Sequence, residues 1–183
     1  MRRLPPVVLL LAGWSLSGCQ PATPSRAASG TSQPIWQVAF SPQGGATQLV
    51  VATLAHAQTT VLVQAYSFTS APIAQALVDA KKRGVVVEVI LDKSQRTEHY
   101  SEADFLLHAG IPVSIDAAHA IAHNKIMILD DETIITGSFN FTKAAEEHNA
   151  ENVLVLRDKA LAAEYRINWQ KHKAHSASYG AER

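Results

Sequence analysis

The 183-residue chain contains one cysteine, Cys19, so no internal disulfide can hold the fold. It also has no excess of charge: 16 Lys and Arg balance 16 Asp and Glu, and leaving out Arg2 and Arg3 gives 14 against 16. A protein that binds a polyanion through its overall charge is more basic than this, so any attraction to phosphate has to come from a local patch. Long apolar runs are missing as well. Val7 to Leu16 is too short to span a bilayer comfortably as a helix. What is present is an ordinary globular balance, 47% hydrophobic and 17% charged, at a length that suits one domain with a sizeable core.

Met1-Arg2-Arg3 followed by that apolar run has the form of a secretory signal. Leu16-Ser17-Gly18-Cys19 resembles a bacterial lipobox, which implies cleavage before Cys19 and lipid attachment to its sulfur. Gln20, where an aspartate would mark retention in the inner membrane, favours the outer membrane in the lipoprotein sorting pattern. The expected organisation is a signal peptide over 1–18, a flexible Pro-, Ser- and Thr-rich tether over 19–34, a folded domain over 35–175 and a disordered tail over 176–183. The expected location is the periplasm, reached by secretion across the inner membrane, with the protein held by lipid on Cys19.

Within the domain, strands and helices alternate. Residues 35–40 alternate apolar and polar side chains and read as a strand; 46–57 carry apolar residues at helical spacing. Residues 60–65 and 85–91 are too uniformly apolar for half-exposed strands and should lie at the centre of a sheet. A helix over 71–82 ends at Gly84, another over 101–108 ends at Gly110, and 111–115 is a strand whose Pro112 places it at a strand start or an edge. A last strand over 151–156 and a closing helix over 159–172 complete an α/β arrangement, a mixed sheet flanked by helices.

The chemistry concentrates in His123-Asn124-Lys125, the run to Asp130, and Gly137-Ser138-Phe139-Asn140. Residues 125–129 and 133–136 read as a hairpin turning at Asp130-Asp131-Glu132. His123 and Lys125 then project from one face, as do Ser138 and Asn140 if extension persists. An imidazole able to attack phosphorus or pass a proton, an ammonium, a hydroxyl and a carboxamide suit a phosphodiester. Asp130 lies seven residues from His123, the wrong parity for a shared face. Its first expected role is turn-capping or ion-pairing, and a direct chemical one comes second.

His123-x-Lys125-x4-Asp130, with Gly137-Ser138-x-Asn140, resembles the HxKxxxxD signature and trailing GSxN of the phospholipase D superfamily. The run from Gly137 to Glu146, with Glu151-Asn152 beyond, is similar to the small single-motif bacterial endonucleases of the Nuc type. The likeness covers roughly residues 36 to 172. It implies catalytic roles for His123, Lys125, Asp130, Ser138, Asn140 and Glu151, with Glu151 as the carboxylate that fixes the imidazole. Lys93 and Arg96, at the exit of a strand, are expected to contact substrate backbone together with Lys125, Ser138 and Asn140. His119 and His123 stand four apart, a spacing that on a helix can bind metal. No acid cluster or second cysteine lies nearby, and the resemblance implies metal-independent chemistry, so no metal and no cofactor are expected.

The HxK pattern occurs once. Displacement at phosphorus needs a nucleophile on one side and a proton donor on the other, which one imidazole cannot supply. The resemblance implies a half-domain that dimerises, with His123 from each of two identical chains in a joint site. The expected activity is endonucleolytic cleavage of DNA, with RNA as a second substrate, through a phosphohistidine. A phospholipase D or phosphatidyl-transfer activity on membrane phospholipids is the alternative.

Overall fold

The computed structural model of the chain describes residues 35–180, so the expected signal peptide, tether and Cys19 lie outside the described residues. An eight-stranded mixed sheet in the order β1-β7-β6-β5-β2-β3-β4-β8 forms the middle layer. Its centre is β2 (Thr60–Ala65), parallel to β3 (Val86–Asp92) on one side and antiparallel to β5 (Lys125–Leu129) on the other. All six residues of β2 are buried or half-buried, which is why its sequence is mostly apolar, with Gln64 the one buried polar side chain in it. β4 (Val113–Asp116) continues the parallel set, with Pro112 just outside it and free of any ladder donor role. β6 (Thr133–Gly137), β7 (Glu151–Arg157) and β1 (Trp36–Ser41) extend the other flank antiparallel.

The two faces are covered unequally. α1 (Ala46–Ala55), α2 (Ala71–Lys82) and α3 (Ala103–His108) pack on one face around Leu54, Leu77, Leu106, Val63, Leu91 and Met127. The long α5 (Lys159–His175) lies on the other, with Ala162 and Trp169 against Leu62, Ile90, Ile128 and Ile134. Trp169 Nε1 donates to the Val63 carbonyl at 2.9 Å, which fixes the helix over the centre of the sheet. No helix among the described residues is long and apolar enough to cross a membrane.

Local signals explain the boundaries. Pro72 opens α2, and Gly84 follows it with a left-handed φ of 94°. Asp158 caps α5 through the amides of Ala160 and Leu161, and Thr142 caps α4 (Lys143–Glu147) through that of Ala145.

One expectation needs correction. The segment beyond residue 175 is not a free tail as far as residue 180. Ala177–Ser178 forms β8 against β4, and Tyr179 is buried, its amide donating to the Val113 carbonyl at 2.9 Å. The strand β6 itself ends at Gly137 with a bend at Ser138, although Phe139 stays buried between the more exposed Ser138 and Asn140 and its amide still donates to the Asn152 carbonyl at 3.2 Å.

Candidate active site

Register brings the functional residues to one edge of the sheet. Ala65, the last residue of β2, lies beside Leu91 of β3 and Lys125 of β5, so the exits of the parallel strands and the start of the hairpin are level. The same edge holds the end of β6 and the start of β7, where Gly137 pairs with Val153. His123, Lys125, Ser138, Asn140 and Glu151 therefore all fall at this edge.

His123 is exposed, and its ring rests on Tyr66 with centroids 4.6 Å apart and planes tilted by 58°. Lys125 is only 7% exposed. Its ammonium donates to the His123 carbonyl at 2.8 Å and stands 5.2 Å from the Tyr66 ring centroid. Tyr66 is thus a shared platform for both, held by its own amide on the Asn124 carbonyl at 2.8 Å. From sequence alone Tyr66 reads equally as core or as a loop contact, since nothing local tells an aromatic under an imidazole from one in the interior. Burial pushes the Lys125 ammonium below the ordinary lysine value, and the charge of Glu151 partly offsets this.

Within one chain Glu151 acts on this lysine rather than on the imidazole. Among the described residues no hydrogen bond joins it to the His123 imidazole; it accepts from Asn149 Nδ2 at 3.3 Å and acts electrostatically on Lys125. It is the first residue of β7, opposite Ser41 of β1.

Ser138 is exposed, and its hydroxyl accepts from the Asn152 amide at 3.1 Å and from Asn152 Nδ2 at 3.4 Å, which aims it at the site edge. The approach depends on Gly137: a Cβ there would stand 2.2 Å from the Asn152 carbonyl oxygen. Asn140 is half-buried, and its Oδ1 has no hydrogen-bond partner, so this carboxamide oxygen is uncommitted. The loop after it is fixed by Phe141, whose carbonyl accepts from Thr69 and Ser70 at 3.0 Å and whose ring meets Phe68 edge-on.

Asp130 lies at the far end of β5, a whole strand from Lys125, and is not part of this cluster. Its carboxylate accepts from the amides of Gln58, Thr59 and Thr60 and from the Thr59 hydroxyl, so it secures the entry to β2. The capping role is the one realised; the direct chemical one is excluded by position. Lys93 and Arg96 belong to a single 3-10 turn leaving β3 at the site edge. Lys93 already donates to the His119 carbonyl at 2.9 Å, which ties it to the loop leading to His123.

A residue passed over in the sequence also shapes the site. Asp92 is buried, and its Oδ2 accepts the Ala122 amide at 2.7 Å, immediately before His123. Burial pushes its carboxyl up, but hydrogen bonds from Ser94 and the Ala122 amide outweigh that and keep it below the usual value, an anion under the loop.

Comparison with known proteins agrees with this geometry. A family model described as cardiolipin synthase, PLD-like domain, matches residues 50–172. The chain is 42% identical over 138 residues to a phospholipase D of Rickettsia typhi, covering 75% of this chain and 68% of that protein. It is 33% identical over 118 residues to a mitochondrial cardiolipin hydrolase of Chlamydomonas reinhardtii, covering 64% and 53% of the two chains. Among solved structures, the phospholipase D family member Nuc from Salmonella typhimurium superposes with a TM-score of 0.76 at 41% identity, over 79% of this chain and 97% of that one. NucT from Helicobacter pylori shares the fold, with a TM-score of 0.71 at 24% identity over 78% and 99% of the two chains. With an HxK pair held at the edge of this sheet and the family model covering most of the domain, the chain belongs to the phospholipase D superfamily, enzymes that act on phosphodiester bonds.

Proposed function

We propose that the chain is an endonuclease of little sequence specificity that cleaves DNA, and RNA as a second substrate, as a homodimer. The observation that carries this is the pairing of an exposed His123 with a buried Lys125 on one Tyr66 platform, present once per chain. The likeness to Nuc over 97% of its length supports nucleic acid as the substrate. A site that holds only backbone phosphate reads no base, so low specificity follows.

In the proposed reaction a ring nitrogen of one His123 attacks phosphorus, the phosphorus–oxygen ester bond breaks, and His123 of the second chain protonates the departing oxygen. That second imidazole then takes a proton from water, which displaces the first from phosphorus and frees the product. Lys125, Ser138 and the Asn140 carboxamide hold the phosphoryl oxygens as charge grows on them. Lys93 and Arg96 serve the flanking backbone. No metal takes part in these steps. The surface offered for the second copy is the α5 side of β1, where Trp36, Val38 and Phe40 are 59%, 42% and 62% exposed in one row, next to the β7 strand that begins with Glu151.

The runner-up is a phospholipase D or phosphatidyl-transfer activity. It is favoured by the 42% identity to relatives named phospholipase D and by the absence of excess positive charge. An anchor on Cys19 in the periplasm would place the site beside lipid in that case, and beside incoming nucleic acid in the first.

The test incubates the purified chain and its His123→Ala variant in excess EDTA with plasmid DNA and, separately, with phospholipid vesicles. Nicking that persists in EDTA and vanishes in the variant is the expected result. Head-group release without nicking overturns the nuclease reading, and a monomeric active species in sedimentation overturns the joint site.

A further inference from the structure

On the α5 side of the same sheet edge, three imidazoles close on one carboxylate. Asp116, the last residue of β4, has a fully buried side chain. Its Oδ1 is 3.2 Å from His119 Nδ1, and its Oδ2 is 2.6 Å from His172 Nδ1 and 3.2 Å from His175 Nε2. The three rings face one another, with centroids 4.9, 5.2 and 5.4 Å apart. One donor atom from each of the four residues lies within 4.8 Å of every other.

Each ring can hydrogen-bond the carboxylate, but three imidazoles facing one another around one carboxylate also bring three nitrogens and an oxygen towards one point, which is the requirement of a divalent cation. In a tetrahedral shell with bonds of about 2.0–2.1 Å, neighbouring ligand atoms stand about 3.3 Å apart. Two of the carboxylate–imidazole contacts, at 3.2 Å, are already near that spacing, and side-chain rotation would have to lengthen the 2.6 Å contact of His172 and draw in the rest. Three nitrogens and one oxygen, with no thiolate, suit zinc in tetrahedral geometry.

We propose that Asp116, His119, His172 and His175 form a structural zinc site that fastens the loop carrying His123 to the end of α5. With all four positions filled by protein, none is left for a water, so the ion does not take part in cleavage. Its mechanical effect follows from connectivity. His119 sits four residues before His123, while His172 and His175 occupy the last turn of α5. The Ala118 amide on Asp116 Oδ1, at 3.0 Å, and Lys93 on the His119 carbonyl orient the ligands from behind. This holds whichever phosphodiester the enzyme cleaves.

The full chain, stripped of metal and dialysed, is titrated with Zn2+ by calorimetry and with Co2+ by visible absorption. His119→Ala and His175→Ala are the variants of choice, because their side chains are 46% and 38% exposed and the fold does not rest on them. His123→Ala and His56→Ala control for the catalytic and an exposed surface imidazole. We expect one zinc per chain, an intense tetrahedral cobalt band, and a rise in melting temperature with zinc. Each ligand variant should weaken zinc binding by roughly a hundredfold or more and abolish both the band and the rise, while the two controls leave them intact. Absence of zinc binding, a weak octahedral cobalt spectrum, or affinity that changes less than about tenfold in both ligand variants overturns the proposal.

Discussion

Asp130 Oδ1 accepts from Thr59 twice, through its amide at 2.8 Å and its hydroxyl at 2.9 Å, and the Thr60 amide shares the same oxygen at 3.0 Å. The acidic residue of the motif is therefore a clamp between the β5–β6 turn and the start of the central strand. Asp130 also has a left-handed φ of 55°, which Asn tolerates and Ala does not. Asp130→Ala should cost about 3 kcal/mol of stability by chemical denaturation, and Asp130→Asn clearly less, while the folded fraction of each keeps its cleavage rate. A loss of turnover in fully folded Asp130→Asn would contradict the structural assignment.

The same carboxylate predicts a pH dependence. Burial pushes its pKa up, but the amides of Thr60, Thr59 and Gln58 outweigh that and hold it below the ordinary 3.8. A group with a depressed folded pKa contributes stability that is fully present above its unfolded value and is lost as pH falls through the folded one. Acid unfolding of the wild type should steepen below about pH 4, and Asp130→Asn should flatten that part of the curve.

Lys125 and Glu151 give the opposite limb. Burial lowers the Lys125 pKa from 10.5 and Glu151 raises it back in part. The folded chain binds this proton less tightly than the unfolded one, so stability gains a small increment as pH rises from the folded value towards 10.5. Activity moves the other way, because the charged ammonium is the form that holds phosphate. Glu151→Gln removes the offsetting charge and should shift the alkaline limb of the rate profile to lower pH. If Glu151 acted through His123 instead, the acidic limb would move.

At Gly137 the φ is 148° and a side chain would strike the Asn152 carbonyl. Gly137→Ala should therefore displace β6 from β7 just where Ser138 receives its two hydrogen bonds from Asn152. The expected cost is about 3 kcal/mol, accompanied by a lower rate even in the folded fraction, since the hydroxyl loses its aim. Ser138→Ala alone should lower the rate with little change in melting temperature.

The parts of this fold that could be read from sequence are those whose cause is local. The bounds of β2 and α2 follow from a mostly apolar, β-branched run and from Pro72 and Gly84 at either end of the helix. The meeting of His123 with Lys125 follows from strand parity and the shape of the motif. Pairings across long stretches of chain leave no such trace. The partners of Asp130 lie some seventy residues before it, and Asp116 and His119 meet His172 and His175 only because α5 ends over β4. Asp116 and His119, and His172 and His175, are each three residues apart, a spacing that by itself points to nothing. The nearness of Glu151 to Lys125 is likewise set by the β7–β6–β5 register rather than by distance along the chain.

Glu146 shows how such a long-range pairing can join stability to the site. α1 begins at Gly45, whose left-handed backbone offers no side-chain cap. The missing acceptor comes from 101 residues away: Glu146 Oε1 accepts the Gly45 amide at 3.2 Å and Oε2 accepts the Thr47 amide at 2.7 Å. Its carbonyl takes the Gln43 amide at 2.8 Å. A carboxylate at a helix N-terminus satisfies open donors and complements the dipole. Glu146→Ala should therefore lower stability by about 1–2 kcal/mol. Because Glu146 lies on α4, directly after the loop that carries Ser138 and Asn140, the loss should also loosen that loop and raise KM more than it lowers kcat. Glu146→Gln keeps an acceptor and should recover part of both effects, whereas equal losses in the two variants would show that the charge, rather than the hydrogen bonds, holds the loop to the helix.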